Sequence, residues 1–192
     1  ANFPFVNVTT TPSVLNSTRD GKLVETLFES DYSSVKFFHD FLRPEHCASL
    51  QRGEAVSDPI KAKMHLLARK ELNLPMDSVS GLAVRTDDAT DRQCEVQPDG
   101  SCFNGAASDP PRFVKTGESM LGRLIVVCTT EDVDGGVMFF PKTGVRILPV
   151  SATAIFVVYA DIQGKERDED PFLDEHIICP VRHGKVVALT SV

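Results

Sequence analysis

This 192-residue chain lacks any Lys/Arg-rich run, and its formal net charge is −7. A phosphate backbone is held by a basic face, so the composition argues against nucleic acid as a partner. It also lacks any apolar stretch near the ~20 residues that a membrane-spanning helix needs, Ile155 to Ala160 being far too short. Its cysteines, Cys47, Cys94, Cys102, Cys128 and Cys179, contain no Cys-x-x-Cys pair and are too sparse to read as a disulfide scaffold. Gly-x-Ser-x-Gly elbows and phosphate-binding loops are missing, and no nucleophile motif supports a Cys–His pair. There is no internal repeat and no domain-scale linker. The length suits one domain, 1–192, with a substantial core.

What is present begins with two glycosylation sequons, Asn7-Val8-Thr9 and Asn16-Ser17-Thr18. Together with a start at Ala rather than Met, they point toward a secretory or extracellular setting. In that setting Cys94 and Cys102 would be placed to close a small loop.

Residues 1–38 read as extended pieces, "FPFVNVT", "KLVETLF" and "SVKFF", divided by turn formers. A helical region follows over 39–75. Pro44 suits a first helical turn, where its absent N–H has no partner to lose. In the second helix Asp58 is the expected cap, Pro59 takes the first position, and Ile60, Met64 and Leu67 repeat at helical spacing. From residue 79 to 192 the pattern turns to short β-branched runs: "SVSGLAVR", "RQCEVQ", "LIVVCTT", "GGVMFFP", "GVRILPV", "TAIFVVYA", "HIICPV" and "KVVALTSV". Long loops are expected over 99–117 and over "DIQGKERDEDPFLDE". The fold class is mostly β with flanking helices (α+β): a double-stranded β-helix, jelly roll or cupin-like, with helices packed on one sheet.

Several of these runs come in a telling order. Gly135-Gly136, Phe140-Pro141, Ile147-Leu148-Pro149, Ala154-Ile155-Phe156 and His176-Ile177-Ile178-Cys179-Pro180-Val181 follow one another at characteristic spacing, with "FFHDFLRPEHCASL" upstream. The series resembles the prolyl 4-hydroxylase-like branch of the iron(II)/2-oxoglutarate dioxygenases over roughly residues 35 to 192. The resemblance implies iron held at the open end of a barrel by His-x-Asp and a distal histidine, leaving positions for 2-oxoglutarate and oxygen. By position His176 is the distal histidine and Asp99 the carboxylate. Taken alone, His176 is a strand-end histidine beside Asp174, and Asp99 a turn residue in Pro98-Asp99-Gly100.

The chain departs from that pattern. Gln97 stands where the first histidine belongs, and an amide oxygen is a poorer iron ligand than an imidazole nitrogen. The base that pairs with the far carboxylate of 2-oxoglutarate falls at Val186, with Lys185 one residue early and, by strand alternation, on the opposite face. Arg182 is the other nearby cation, and Arg146 has no face assigned. A site tyrosine of the family is replaced near Cys128. His39, His46 and His65 add no second site. Two readings follow. In one, the chain is a dioxygenase-fold protein with degraded iron and 2-oxoglutarate sites, without cofactor, binding or assembling with a protein or extended peptide. In the other, it is an active dioxygenase that hydroxylates peptidyl proline or a similar substrate, with Fe(II) on Asp99, His176 and Gln97 and 2-oxoglutarate on Lys185 or Arg182.

Overall fold

The computed structural model describes residues 15–19, 21–29, 34–72, 82–89, 95–96, 102–103, 106–107, 122–140, 145–158 and 177–191. Strands β1 (Leu15–Arg19), β2 (Lys22–Glu29) and β3 (Ser34–Phe38) precede helices α1 (Pro44–Gln51) and α2 (Asp58–Leu72). Then come β4 (Leu82–Asp88), β5 (Glu95–Val96), β6 (Cys102–Phe103), β7 (Ala106–Ala107), β8 (Gly122–Thr129), β9 (Asp134–Gly135) and β10 (Met138–Phe140). The chain finishes with β11 (Val145–Ile147), β12 (Thr153–Val158), β13 (Ile177–Ile178), β14 (Val181–His183) and β15 (Lys185–Ser191).

A seven-stranded sheet in the order β1-β2-β3-β12-β8-β15-β4 forms the centre, and a four-stranded sheet runs β11-β10-β13-β7. The extended N-terminal pieces therefore join the main sheet: β2 pairs with β3, and β3 pairs with β12 from far along the chain. Strand alternation explains the layering. Leu124, Val126 and Cys128 of β8, Ala154 and Phe156 of β12, and Val187 and Leu189 of β15 face the helices. Ile125 and Val127, Ile155 and Val157, and Val186 and Ala188 face the small sheet. Each central strand is thus apolar on both faces, which is why "LIVVC" and "AIFVV" are continuous rather than alternating. Burying each such side chain contributes about 1.5–3 kcal/mol.

On the helix side, α2 presents Ile60, Met64, Leu67 and Ala68, one stripe at helical spacing, and α1 presents Cys47 and Leu50. Pro44 opens α1 as expected, without a side-chain cap from Arg43. The second helix starts differently: Asp58 lies within it, and the carbonyl of Ser57 accepts from the N–H groups of Ile60 and Lys61 at 3.1 Å each. Asp58 instead adds negative charge in the first turn. Lys36 on β3 reaches Glu71 in the last turn at 2.9 Å.

A disulfide joins Cys47 of α1 to Cys128 of β8 across 81 residues, pinning the first helix to the centre of the sheet. Cys179 is disulfide-bonded as well. The Cys94–Cys102 loop and the piece "FPFVNVT" lie outside the described residues and side chains. Within the long loop expected over 99–117, β6 pairs with β5, and β7 pairs with β13.

The glycine pair Gly135-Gly136 is held by geometry. Gly136 N–H donates to the Pro180 carbonyl at 3.1 Å, and Cys179 N–H donates to the Val137 carbonyl at 2.8 Å. A Cβ on Gly135, whose φ is +88°, would sit 2.4 Å from the Pro180 oxygen. Gly135→Ala is expected to lower stability by at least about 2 kcal/mol, from the left-handed backbone and the clash with main chain. Removing the bridge with a Cys47→Ala/Cys128→Ala double variant is expected to cost about 2–5 kcal/mol. Urea denaturation of the three proteins measures both.

Candidate functional site between the sheets

The space between the sheets is built from the inner faces of β4, β8, β12 and β15 on one side and β10, β11 and β13 on the other. Residues directly opposite in an antiparallel pair share a face. Pairing of Ala188 with Arg85 and of Val186 with Asp87 therefore puts an arginine and a carboxylate on the inner face of β4. Arg85 Nε donates to Asp87 Oδ2 at 2.8 Å, with both side chains partly exposed. The rest of the lining is mainly apolar, including Val127, Ile155, Met138, Ile147 and Ile178, with Gly136 and Pro149 also in the wall. The free volume is about 10 Å³, close to the room a single water needs.

The expected cosubstrate cations lie elsewhere. Lys185 shares the parity of Val187 and faces the helices: its Nζ donates to the Gln51 carbonyl at the end of α1 at 3.3 Å and lies 3.8 Å from Asp88 Oδ1. Val186 occupies the inner face. Arg182 is on the β14–β9 ribbon, where Nη2 bonds Asp134 Oδ1 at 2.7 Å with both side chains more than half exposed. Arg146 does not point inward: Val145 and Ile147 do, and its guanidinium sits 5.6 Å from the Phe139 ring centroid on the other face. Cys128, near which a site tyrosine was expected to be replaced, faces the helices and is bonded to Cys47. Gln97, Asp99, His176 and Asn7 lie outside the described residues, as does the side chain of Asn16. Among the described residues no three His, Cys, Asp or Glu side chains gather as a metal site, and no helix is long and apolar enough to cross a membrane.

2-Oxoglutarate carries two carboxylates and is many times the size of a water. The pocket lined by the described residues does not fit it: its lining is mainly apolar, the guanidinium in that lining, Arg85, is held by Asp87, and its volume is too small.

Sequence reasoning missed Arg85 and Asp87. Their i, i+2 spacing is a one-face signal, but the strand "SVSGLAVR" was expected to stop at Arg85, two residues short of the carboxylate. It also missed a polar pair on the same face of the main sheet, where Glu25 stands opposite Phe37. Glu25, 4% exposed, meets His39 Nε2 at 2.8 Å, and the Phe37 ring stands edge-on to His39 at 4.8 Å.

No family model matches the chain, and no curated protein does. Among solved structures, the chain is similar to a viral collagen prolyl hydroxylase from Paramecium Bursaria Chlorella virus-1 in complex with 2-oxoglutarate. The identity is 17% and the TM-score 0.50, covering 82% of this chain and 93% of the enzyme. A truncated form of the same enzyme aligns at 18% identity and TM-score 0.49 over 82% and 88%. A 2OG-Fe(II) oxygenase family protein from Burkholderia pseudomallei aligns at 10% identity and TM-score 0.37 over 92% and 70%. At such identity the likeness to the viral enzyme is one of fold. The chain has a dioxygenase fold, mostly β with two described helices.

Tight packing between the sheets has a measurable consequence. Ile155, 1% exposed at the floor of this space, is expected to cost about 2–5 kcal/mol when replaced by Ala. A loss below about 1 kcal/mol in chemical denaturation would mean that the space is loosely filled.

Proposed function

We propose that this chain is a prolyl 4-hydroxylase-like domain, a double-stranded β-helix with degraded iron and 2-oxoglutarate sites, that works as a binding or assembly module for an extended, proline-containing polypeptide. The observation that carries the reading is the inner face of β15. Val186 stands where a cosubstrate base is required, and the adjacent Lys185 is turned toward α1. A strand does not present both neighbours on one face, which counts against Lys185 as the cosubstrate base. Gln97 in place of an imidazole points the same way. Peptide contacts along a groove need no metal, so a polypeptide partner remains compatible with these losses. The Cys47–Cys128 bridge and a bonded Cys179 support an oxidising compartment, and with it use of the sequons at Asn7 and Asn16.

The competing reading is an active dioxygenase with Asp99, His176 and Gln97 on the iron and Lys185 or Arg182 on the cosubstrate. Calorimetric titration with Mn(II) or Fe(II), with and without 2-oxoglutarate, separates the two. The binding-module reading expects no saturable 2-oxoglutarate binding and no cosubstrate turnover. Micromolar metal affinity abolished by His176→Ala and Asp99→Ala, together with 2-oxoglutarate consumption, would replace it with the enzyme reading.

A further inference from the structure

A second cavity lies on the opposite side of the main sheet, under the end of the β2–β3 hairpin and against α2. Its free volume is about 170 Å³, equivalent to roughly six waters' share of liquid. Lys22, Lys63 and Lys70 line it, and none of the described side chains lining it is an Asp or Glu. In a chain of net charge −7 that is a marked local excess of positive charge. The remaining wall is His39, whose ring is bonded to the Glu25 carboxylate, and apolar side chains: Phe41 and Leu67, with Leu23 (37% exposed) and Leu66 (50% exposed) toward the rim.

Two of these ammonium groups are held in place by the turn between β3 and α1. Lys22 Nζ donates to the Asp40 carbonyl and Lys63 Nζ to the Phe41 carbonyl, adjacent peptide units. Asp40 itself has φ +47°, the left-handed conformation that aspartate tolerates better than most residues. Lys63 also lies over the Phe41 ring at 5.0 Å. Burial, then the charges of Lys22 and Arg43, hold the Lys63 pKa below the ordinary lysine value. Neighbouring cations held this way repel one another, and an anion among them would relieve that repulsion.

We propose that this cavity binds a small amphipathic carboxylate, its anionic head among Lys22, Lys63 and Lys70 and its aryl or medium-chain acyl body on Phe41, Leu67 and Leu66. The volume admits a single short apolar body. The three ammonium groups complement a carboxylate head by charge, each as a compact cation with rotatable donors. The site is independent of the inter-sheet space and stands whatever becomes of the proposed function.

The test uses the full chain with octanoate and phenylacetate as probes, followed by calorimetry and by chemical shifts of the lysine ammonium and Phe41 ring. Saturable binding is expected, with octanol, the uncharged analogue of octanoate, at least about tenfold weaker. Octanoate is also expected to raise the Lys63 pKa. Lys63→Met is expected to weaken octanoate at least about tenfold while retaining an apolar stem. Because Lys63 also holds a turn carbonyl, Leu66→Glu provides a second variant at an exposed rim position. It leaves both lysine anchors in place and sets a carboxylate against the ligand, so it too is expected to weaken octanoate and spare octanol. Absence of saturable binding, equal affinity for octanoate and octanol, or an unmoved Lys63 titration would overturn the proposal. So would normal octanoate binding by Leu66→Glu.

Discussion

Everything in this molecule hangs from a strand that has no solvent face. β8 sends Leu124, Val126 and Cys128 to the helices and Ile125 and Val127 to the small sheet. β12 and β15 flank it and do the same. A strand apolar on both faces must be covered twice, so helices and a second sheet are both obligatory. Register is equally constrained: a one-residue slip of β15 would put Lys185 and its neighbours on the wrong layers. The disulfide from Cys47 to Cys128 fastens one of the two covers to this strand.

The motifs that carry the family resemblance turn out to be fold devices. Gly135-Gly136 and Cys179-Pro180-Val181 are more than forty positions apart in the chain, yet they form one contact. The Pro180 carbonyl passes where a side chain on Gly135 would be, Gly136 N–H bonds that carbonyl, and β9 pairs with β14 beside it. A pairing this close requires glycine whether or not the chain does chemistry. Such motifs therefore speak to architecture, and the site must be argued from its own residues.

That division sets what could be read from the sequence. The central strands were legible because continuous runs such as "AIFVV" have few alternatives, and α2 because Ile60, Met64 and Leu67 keep one face. Two-residue strands such as β6 and β7 were not, since a dipeptide has no period, whereas β5 falls within the expected run "RQCEVQ". The Cys47–Cys128 bridge was invisible because its partners come together only through the packing of α1 on β8, which no spacing announces. Asp58 misled because aspartate suits both a cap and a first turn, and only the Ser57 carbonyl bonds decide between them. The pairing of β3 with β12 joins segments with nearly the whole fold between them, and local pattern does not encode such partners.

The two faces of β15 also show how packing and charge are divided in this fold. The inner face is set by packing: Val186 and Ala188 fill a narrow gap against Met138, Ile147 and Ile178, where a buried ammonium would need a partner and more room. The outer positions carry no such limit. Lys185 there finds the Gln51 carbonyl at the end of a helix, where the dipole favours a cation. Lys36, one strand beyond β12, similarly meets Glu71 in the last turn of α2. Lys22 and Lys63 cluster on the turn carbonyls of Asp40 and Phe41 on that same side. Positive charge has settled where main-chain oxygens and solvent can stabilise it, and the layer between the sheets has kept mostly the side chains that pack.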